Sequence, residues 1–110
     1  MARAVRYHAS FKNDLAERVK WLRINRPPQQ RSNLRTLLAA FKERIGAFPG
    51  LGEEIELRGT HSYRRFTVGR TLPYLIWYYY DTANQASPVW LAMLMHEDQD
   101  RERFSPERFE

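Results

Sequence analysis

Apolar residues in the first half of the chain recur at helical spacing, and those in the second half alternate. Phe11, Leu15, Val19 and Leu22 are separated by four, four and three residues. That is the stripe of an amphipathic helix, and Lys12, Arg18 and Arg23 fall on its flanks. Ser10 stands where an N-cap belongs, and the helix is expected to end near Asn25. Pro27 and Pro28 lack the amide hydrogen that a helix interior needs, but they suit a connection and the first turn of a second helix. Leu34, Leu37, Leu38, Phe41 and Ile45 then form a second stripe. So short a connection makes the two helices antiparallel neighbours, a hairpin whose apolar face needs a cover. Ahead of them, RAVRYH at 3–8 alternates Val5 and Tyr7 with polar neighbours, as a short strand does.

Pro49, Gly50 and Gly52 break the second helix, and the pattern beyond them is strand-like: Ile55 with Leu57, then 63–68, 72–80 and 89–95. Residues 60–62, 69–71 and 81–87 read as turns, and the polar stretch DTANQAS at 81–87 as a mobile hairpin tip. The fold class expected is α+β: an N-terminal strand, an antiparallel helical hairpin, then a meander of antiparallel strands. The hairpin should pack on one face, and the first strand should join an edge. At 110 residues the chain reads as one domain, 1–110, with 97–110 as a tail dense in charge.

The strand at 72–80 is apolar on both faces. Leu72, Tyr74, Ile76, Tyr78 and Tyr80 alternate with Leu75, Trp77 and Tyr79, and only one set can face the hairpin. The other set is expected to form a partly wet aromatic patch that meets a partner, unless 49–52 or the tail folds over it.

Composition narrows the chemistry. Cysteine is absent, and His8, His61 and His96 lack ligand spacing, so neither a disulfide framework nor a metal site is expected. The sequence shows no Gly-rich phosphate loop and no nucleophile elbow, and no cofactor is expected. The opening residues lack a signal-peptide core, and no run approaches the ~20 apolar residues that span a bilayer, so the expected location is the cytoplasm. Charge is uneven: residues 1–47 carry eleven Lys/Arg against three Asp/Glu, 48–96 four against four, and 97–110 three against six. The resulting +8, 0 and −3 concentrate the net +5 in the first half. Such a field attracts an acidic protein or a nucleic acid without choosing between them, and an Arg-rich solvated helix face would look the same.

The order of strand, helical hairpin and antiparallel strands resembles the RelE/ParE superfamily of bacterial type II toxins. The opening VRYHASFKNDLAERVKWL, with Asp14 and Leu15 in the first helix, is similar to that family's start. Phe48, Pro49 and Gly50 match its Pro-Gly break. LRGTHSYRRFTVGRTLPYLIWY at 57–78 looks like its central motif, and His96 with Asp98 and Asp100 resembles the close of the last strand in the ParE branch.

The two branches imply different activities. RelE-like toxins cut mRNA in the ribosomal A site, whereas ParE-like toxins block DNA gyrase without being nucleases. RNA cleavage needs a base, cations for the phosphate and an acid. Candidates are Glu56 (or Glu54) as base, Arg65 (or Arg64 or Arg70) as phosphate holder and His96 as acid, its ordinary pKa near ~6.5 suiting proton transfer. Arg64 and Arg65, being successive, point to opposite faces, and one is expected to pair with Glu54 or Glu56. GEEIELRGTH lacks the RelE lysines, and Leu72 and Pro73 stand where the family's arginine would precede the apolar strand. The resemblance is therefore closest to the ParE branch, and no catalytic residue is assigned with it. It implies a cognate antitoxin, with gyrase or the ribosome as target, and no sequence-specific DNA binding by the toxin alone. Candidate partner-binding residues are Arg18, Arg23, Arg31 and Arg35 on the hairpin; Arg64, Arg70, Tyr74, Trp77 and Tyr79 on the sheet; and Phe104 in the tail. A member of this fold that has lost toxicity and serves only as a binding partner would carry the same pattern.

Overall fold

A computed structural model describes residues 2–69 and 74–96. The element order is β1 (Val5–Tyr7), α1 (Ala9–Asn25), α2 (Pro28–Ala47), a 3-10 turn (Pro49–Leu51), β2 (Glu53–Arg58), β3 (His61–Val68), β4 (Tyr74–Asp81) and β5 (Val89–His96). The strands form one sheet in the order β1-β5-β4-β3-β2. β2 to β5 make the antiparallel meander, and β1 joins its edge in parallel with β5, Val5 lying opposite Val89. The α+β architecture read from the sequence is the one observed.

Local chemistry places the helix ends. His8, not Ser10, caps α1: its backbone is extended and its ring nitrogen accepts from the Ser10 amide. The Ser10 hydroxyl instead donates to the Ala92 carbonyl at 2.6 Å, fastening the start of α1 to β5. Arg26 turns extended and ends α1, Pro27 occupies the cap of α2, and Pro28 supplies a first helical residue that needs no amide hydrogen.

The two-faced strand organises the packing. Tyr74, Ile76, Tyr78 and Tyr80 join Phe11, Leu22, Leu34, Leu38, Phe41 and Ile45 in the main core under the hairpin. On the other face, Leu75, Trp77, Ala92, Met93 and Met95 form a second cluster with Tyr79 packed against it. The wet patch expected on that face is not what the structure shows: Trp77 is 1% exposed and Leu75 2%. Trp77 is in register with Met93 of the adjacent strand, and Arg65, in register with Trp77 on the other side, lies on the same face.

The tip at 81–87 also differs from the expected mobile loop. One terminal nitrogen of Arg3 donates to the carbonyls of Asp81, Asn84 and Ser87 at 3.0, 2.9 and 3.1 Å, and its guanidinium lies 5.0 Å from the Tyr80 ring centroid. Asp81 and Asn84 side chains cap the turn by accepting from the Ala83 and Ala86 amides. A polar sequence signals a turn but not the cation that gathers its carbonyls.

The crossing from hairpin to sheet rests on Tyr78. Its hydroxyl donates to the Pro49 carbonyl at 2.7 Å and accepts from the Gly52 amide at 2.8 Å. Gly52 is required there, since a Cβ would lie 2.7 Å from that hydroxyl and 2.6 Å from the Arg65 carbonyl. Burial pushes the Tyr78 phenol up to about 12, against a partial lowering by the Gly52 bond. The unfolded phenol ionises near its ordinary value of 10.0 while the folded one stays neutral. Stability from this group is therefore complete below pH ~10 and is lost as pH rises towards ~12. Tyr78→Phe leaves the Pro49 and Gly52 groups without their partner and should cost about 1–3 kcal/mol in urea unfolding at pH 7. The same variant should lose less stability than the parent between pH ~10 and ~12. An unchanged urea midpoint would show that the clamp contributes nothing.

Candidate functional site

Asp14, Glu17, Arg18, Trp21 and Leu22 share one face of α1, at the spacing i, i+3, i+4, i+7 and i+8. They wall a cleft of about 600 Å³ at the closed end of the hairpin. Arg26 and Gln30 contribute from the turn and the start of α2, and Tyr74, Leu94 and His96 from the sheet end where β4 begins and β5 finishes. The apolar stripe of α1 faces the core, so this neighbouring polar stripe lies along the rim.

The cleft is aromatic and cationic at its centre. The Arg18 guanidinium lies 4.7 Å from the Trp21 ring centroid and 5.4 Å from that of Tyr74, and Arg26 lies 4.9 Å from Trp21. Tyr74 meets His96 edge-on at 5.6 Å. Asp14 accepts from the Leu94 amide at 3.1 Å, holding α1 to the end of β5. Two polar atoms, Arg18 Nε and Gln30 Oε1, are buried without a hydrogen-bond partner. Leaving such a group unpaired costs about 1–3 kcal/mol. One is a donor and the other an acceptor, the complement of an extended main chain, which offers both. Trp21 at 40% and Ile24 at 72% exposure add an apolar rim.

Three residues picked out from sequence meet here: Arg18, Tyr74 and His96. The others are distributed. Arg23 and Arg35 are exposed on the hairpin, and Arg31 is half-buried with an unpartnered Nε. Arg64 is engaged within the fold, donating to the Gly50 and Gly52 carbonyls at 3.1 and 2.7 Å and to Ser62, and pairing with Glu54. Trp77 is buried, and Tyr79 is half-buried and stacked on Tyr63 at 5.2 Å, burial and the neighbouring Tyr63 raising its pKa. Arg70 and Phe104, like Leu72, Pro73, Asp98 and Asp100, lie outside the described residues.

The residues a nuclease would require are not gathered. Arg65 is opposite Trp77 and Glu56 opposite Tyr63, so both project on the face away from the hairpin, while His96 is opposite Tyr74 and lines the cleft on the hairpin side. Both arginines of β3 pair with acids of β2: Arg64 with Glu54 and Arg65 with Glu53, at 3.4 and 3.1 Å. Glu56 pairs with Arg58 at 3.3 Å. Among the described residues no group of three His, Asp or Glu side chains could hold a metal ion, and no helix is long and apolar enough to cross a membrane.

Glu17, Trp21, Arg26 and Gln30 were not picked out from the sequence as site residues. The charged and aromatic stripe beside the apolar one was legible, but its meaning depends on Tyr74 and His96, brought beneath it only by the fold.

A helical hairpin laid on a five-stranded sheet whose short first strand pairs in parallel with the last is the frame of a RelE/ParE superfamily toxin. Residues 5–99 match the family model described as ParE toxin of type II toxin-antitoxin system, parDE, and the chain belongs to that family. A comparison with curated proteins gives no match.

Arg18→Met keeps the aliphatic stem and removes a buried, unpaired donor. Loss of the cation–ring contacts, about 0.5–1 kcal/mol each, is offset by relief of that penalty. The unfolding free energy should change by less than about 1 kcal/mol, measured by urea denaturation. A loss of about 3 kcal/mol or more would identify Arg18 as structural support rather than as part of a binding site.

Proposed function

We propose that this toxin acts by binding and inhibiting DNA gyrase rather than by cutting RNA, and that the hairpin cleft receives the C-terminal segment of a cognate antitoxin in the bacterial cytoplasm. The observation carrying the choice of target is the separation of Glu56 and Arg65 from His96 by the thickness of the sheet. General acid–base cleavage needs base, phosphate holder and acid within hydrogen-bond reach of one phosphodiester. Groups on opposite faces do not meet that condition, and Arg65 and Glu56 are already engaged by Glu53 and Arg58.

The antitoxin reading is supported by the unpaired Arg18 and Gln30 atoms and the apolar rim at Trp21 and Ile24. A segment that folds as it binds gains by satisfying such groups and burying such surface. Its acidic residues would meet the cationic hairpin, where Arg23 and Arg35 are exposed.

Purified toxin should block negative supercoiling by gyrase and leave mRNA intact on translating ribosomes. Cuts at codon boundaries would overturn the proposal. Arg18→Glu should weaken a peptide from the antitoxin's C-terminal region at least tenfold in calorimetry, about 1.4 kcal/mol, by placing an acid against an acidic ligand. Unchanged affinity would move the antitoxin off this cleft.

A further inference from the structure

A second cleft, of about 330 Å³, follows the outer edge of β1 and is lined by Val5, Arg6, Tyr7, Lys12, Lys42 and Trp90. Three elements converge there: Arg6 from β1, Lys12 from the first turns of α1 and Lys42 from the later turns of α2. Among the described residues no acid lines it, and none of the three cations has an ion pair with a described residue. Lys42 lies 5.1 Å from the Tyr7 ring centroid. Arg6 is in register with Trp90, whose indole is half-buried on the face away from the hairpin. The cleft thus wraps the sheet edge, lysines on one side and an arginine with an indole on the other.

A strand edge ordinarily invites pairing by another strand. Here that edge is short, with only Val5 and Tyr7 of the three-residue β1 turning their main-chain groups outward. The His8 amide and the Ala4 carbonyl point to β5, so the odd-numbered residues point outward, and the outward Arg3 amide already donates to the Gly46 carbonyl at 2.8 Å. α2 comes so close that a Cβ on Gly46 would sit 2.7 Å from the Arg3 carbonyl. So short an edge gives an added strand little hold, and recognition falls to side chains, three cations with the rings of Tyr7 and Trp90. Cations hold phosphate oxygens, and an indole is a platform for an unpaired base. Concave walls focus the field of the basic first half of the chain onto this spot.

We propose that the β1-edge cleft binds single-stranded nucleic acid without sequence preference, Arg6, Lys12 and Lys42 holding successive phosphates and Trp90 stacking against a base. This site is separate from the hairpin cleft and does not depend on the target of the toxin.

The test is fluorescence anisotropy of the purified toxin with a labelled twelve-nucleotide DNA strand, with poly-glutamate and duplex DNA as competitors. Three phosphate contacts predict a slope of log K against log salt of about −2. Lys12→Gln/Lys42→Gln should weaken binding at least tenfold, whereas Lys20→Gln/Arg44→Gln, removing equal charge from exposed positions outside the cleft, should change it less than threefold. Binding should quench tryptophan emission in the parent and not in Trp90→Phe, which reads the cleft even if the double variant folds poorly. Absence of binding at 50 mM salt, equal loss in both double variants, or quenching that survives Trp90→Phe would overturn the proposal. Displacement by poly-glutamate as effective as by unlabelled strand would reassign the cleft to an acidic peptide, and stronger displacement by duplex would remove Trp90 from its role.

Discussion

The hydroxyl of Tyr78 holds together the two halves of this molecule. The hairpin must hand the chain to the edge strand β2 through a Pro-Gly turn with few ladder bonds of its own. One phenol reaching from the middle of the sheet takes both the Pro49 carbonyl and the Gly52 amide of that turn. Arg64, one strand over and in register with Tyr78, takes the carbonyls of Gly50 and Gly52. A turn otherwise free to swing is fixed against β3 and β4, and this sets how the hairpin lies over the core. The arrangement engages Arg64 within the fold, so a cation conspicuous in the sequence serves the crossing from hairpin to sheet.

The cleft at the closed end of the hairpin has the opposite character. There the fold leaves polar atoms unmatched, with Arg18 and Gln30 each keeping a buried atom without a partner. Stability is concentrated where the chain crosses from helix to sheet, and unsatisfied capacity where the helices turn. A protein that waits for a partner needs that division, because a site fully satisfied in isolation gains little from being filled.

Much of the architecture was legible because apolar period and proline placement are local signals. The two helical stripes, the Pro27–Pro28 junction and the alternating strands read directly, and so did the two-faced character of β4. What sequence could not convey were relations between distant residues. That His8 rather than Ser10 caps α1 follows from the Ala92 carbonyl claiming the Ser10 hydroxyl across 82 residues of chain. Arg3 reaches the 81–87 tip from the other end of the chain, and Trp77 shares its cluster with Met93 and Met95 of a strand that follows a long turn. For the cleft, Arg18 and Tyr74 were visible as individuals, but the approach of the Arg18 guanidinium to the Tyr74 ring belongs to the tertiary fold.

The parallel pairing of β1 with β5 has a consequence for how the protein is made. β1 leaves the ribosome before either helix, yet the strand it pairs with, beginning at Val89, is synthesised after every other described element. The edge of the sheet and the grip of Arg3 on the 81–87 tip therefore close only after the hairpin and the meander strands before β5 have all emerged. A growing chain holds the hairpin without its finished sheet, and both clefts, each walled in part by β5, are complete only once β5 has emerged.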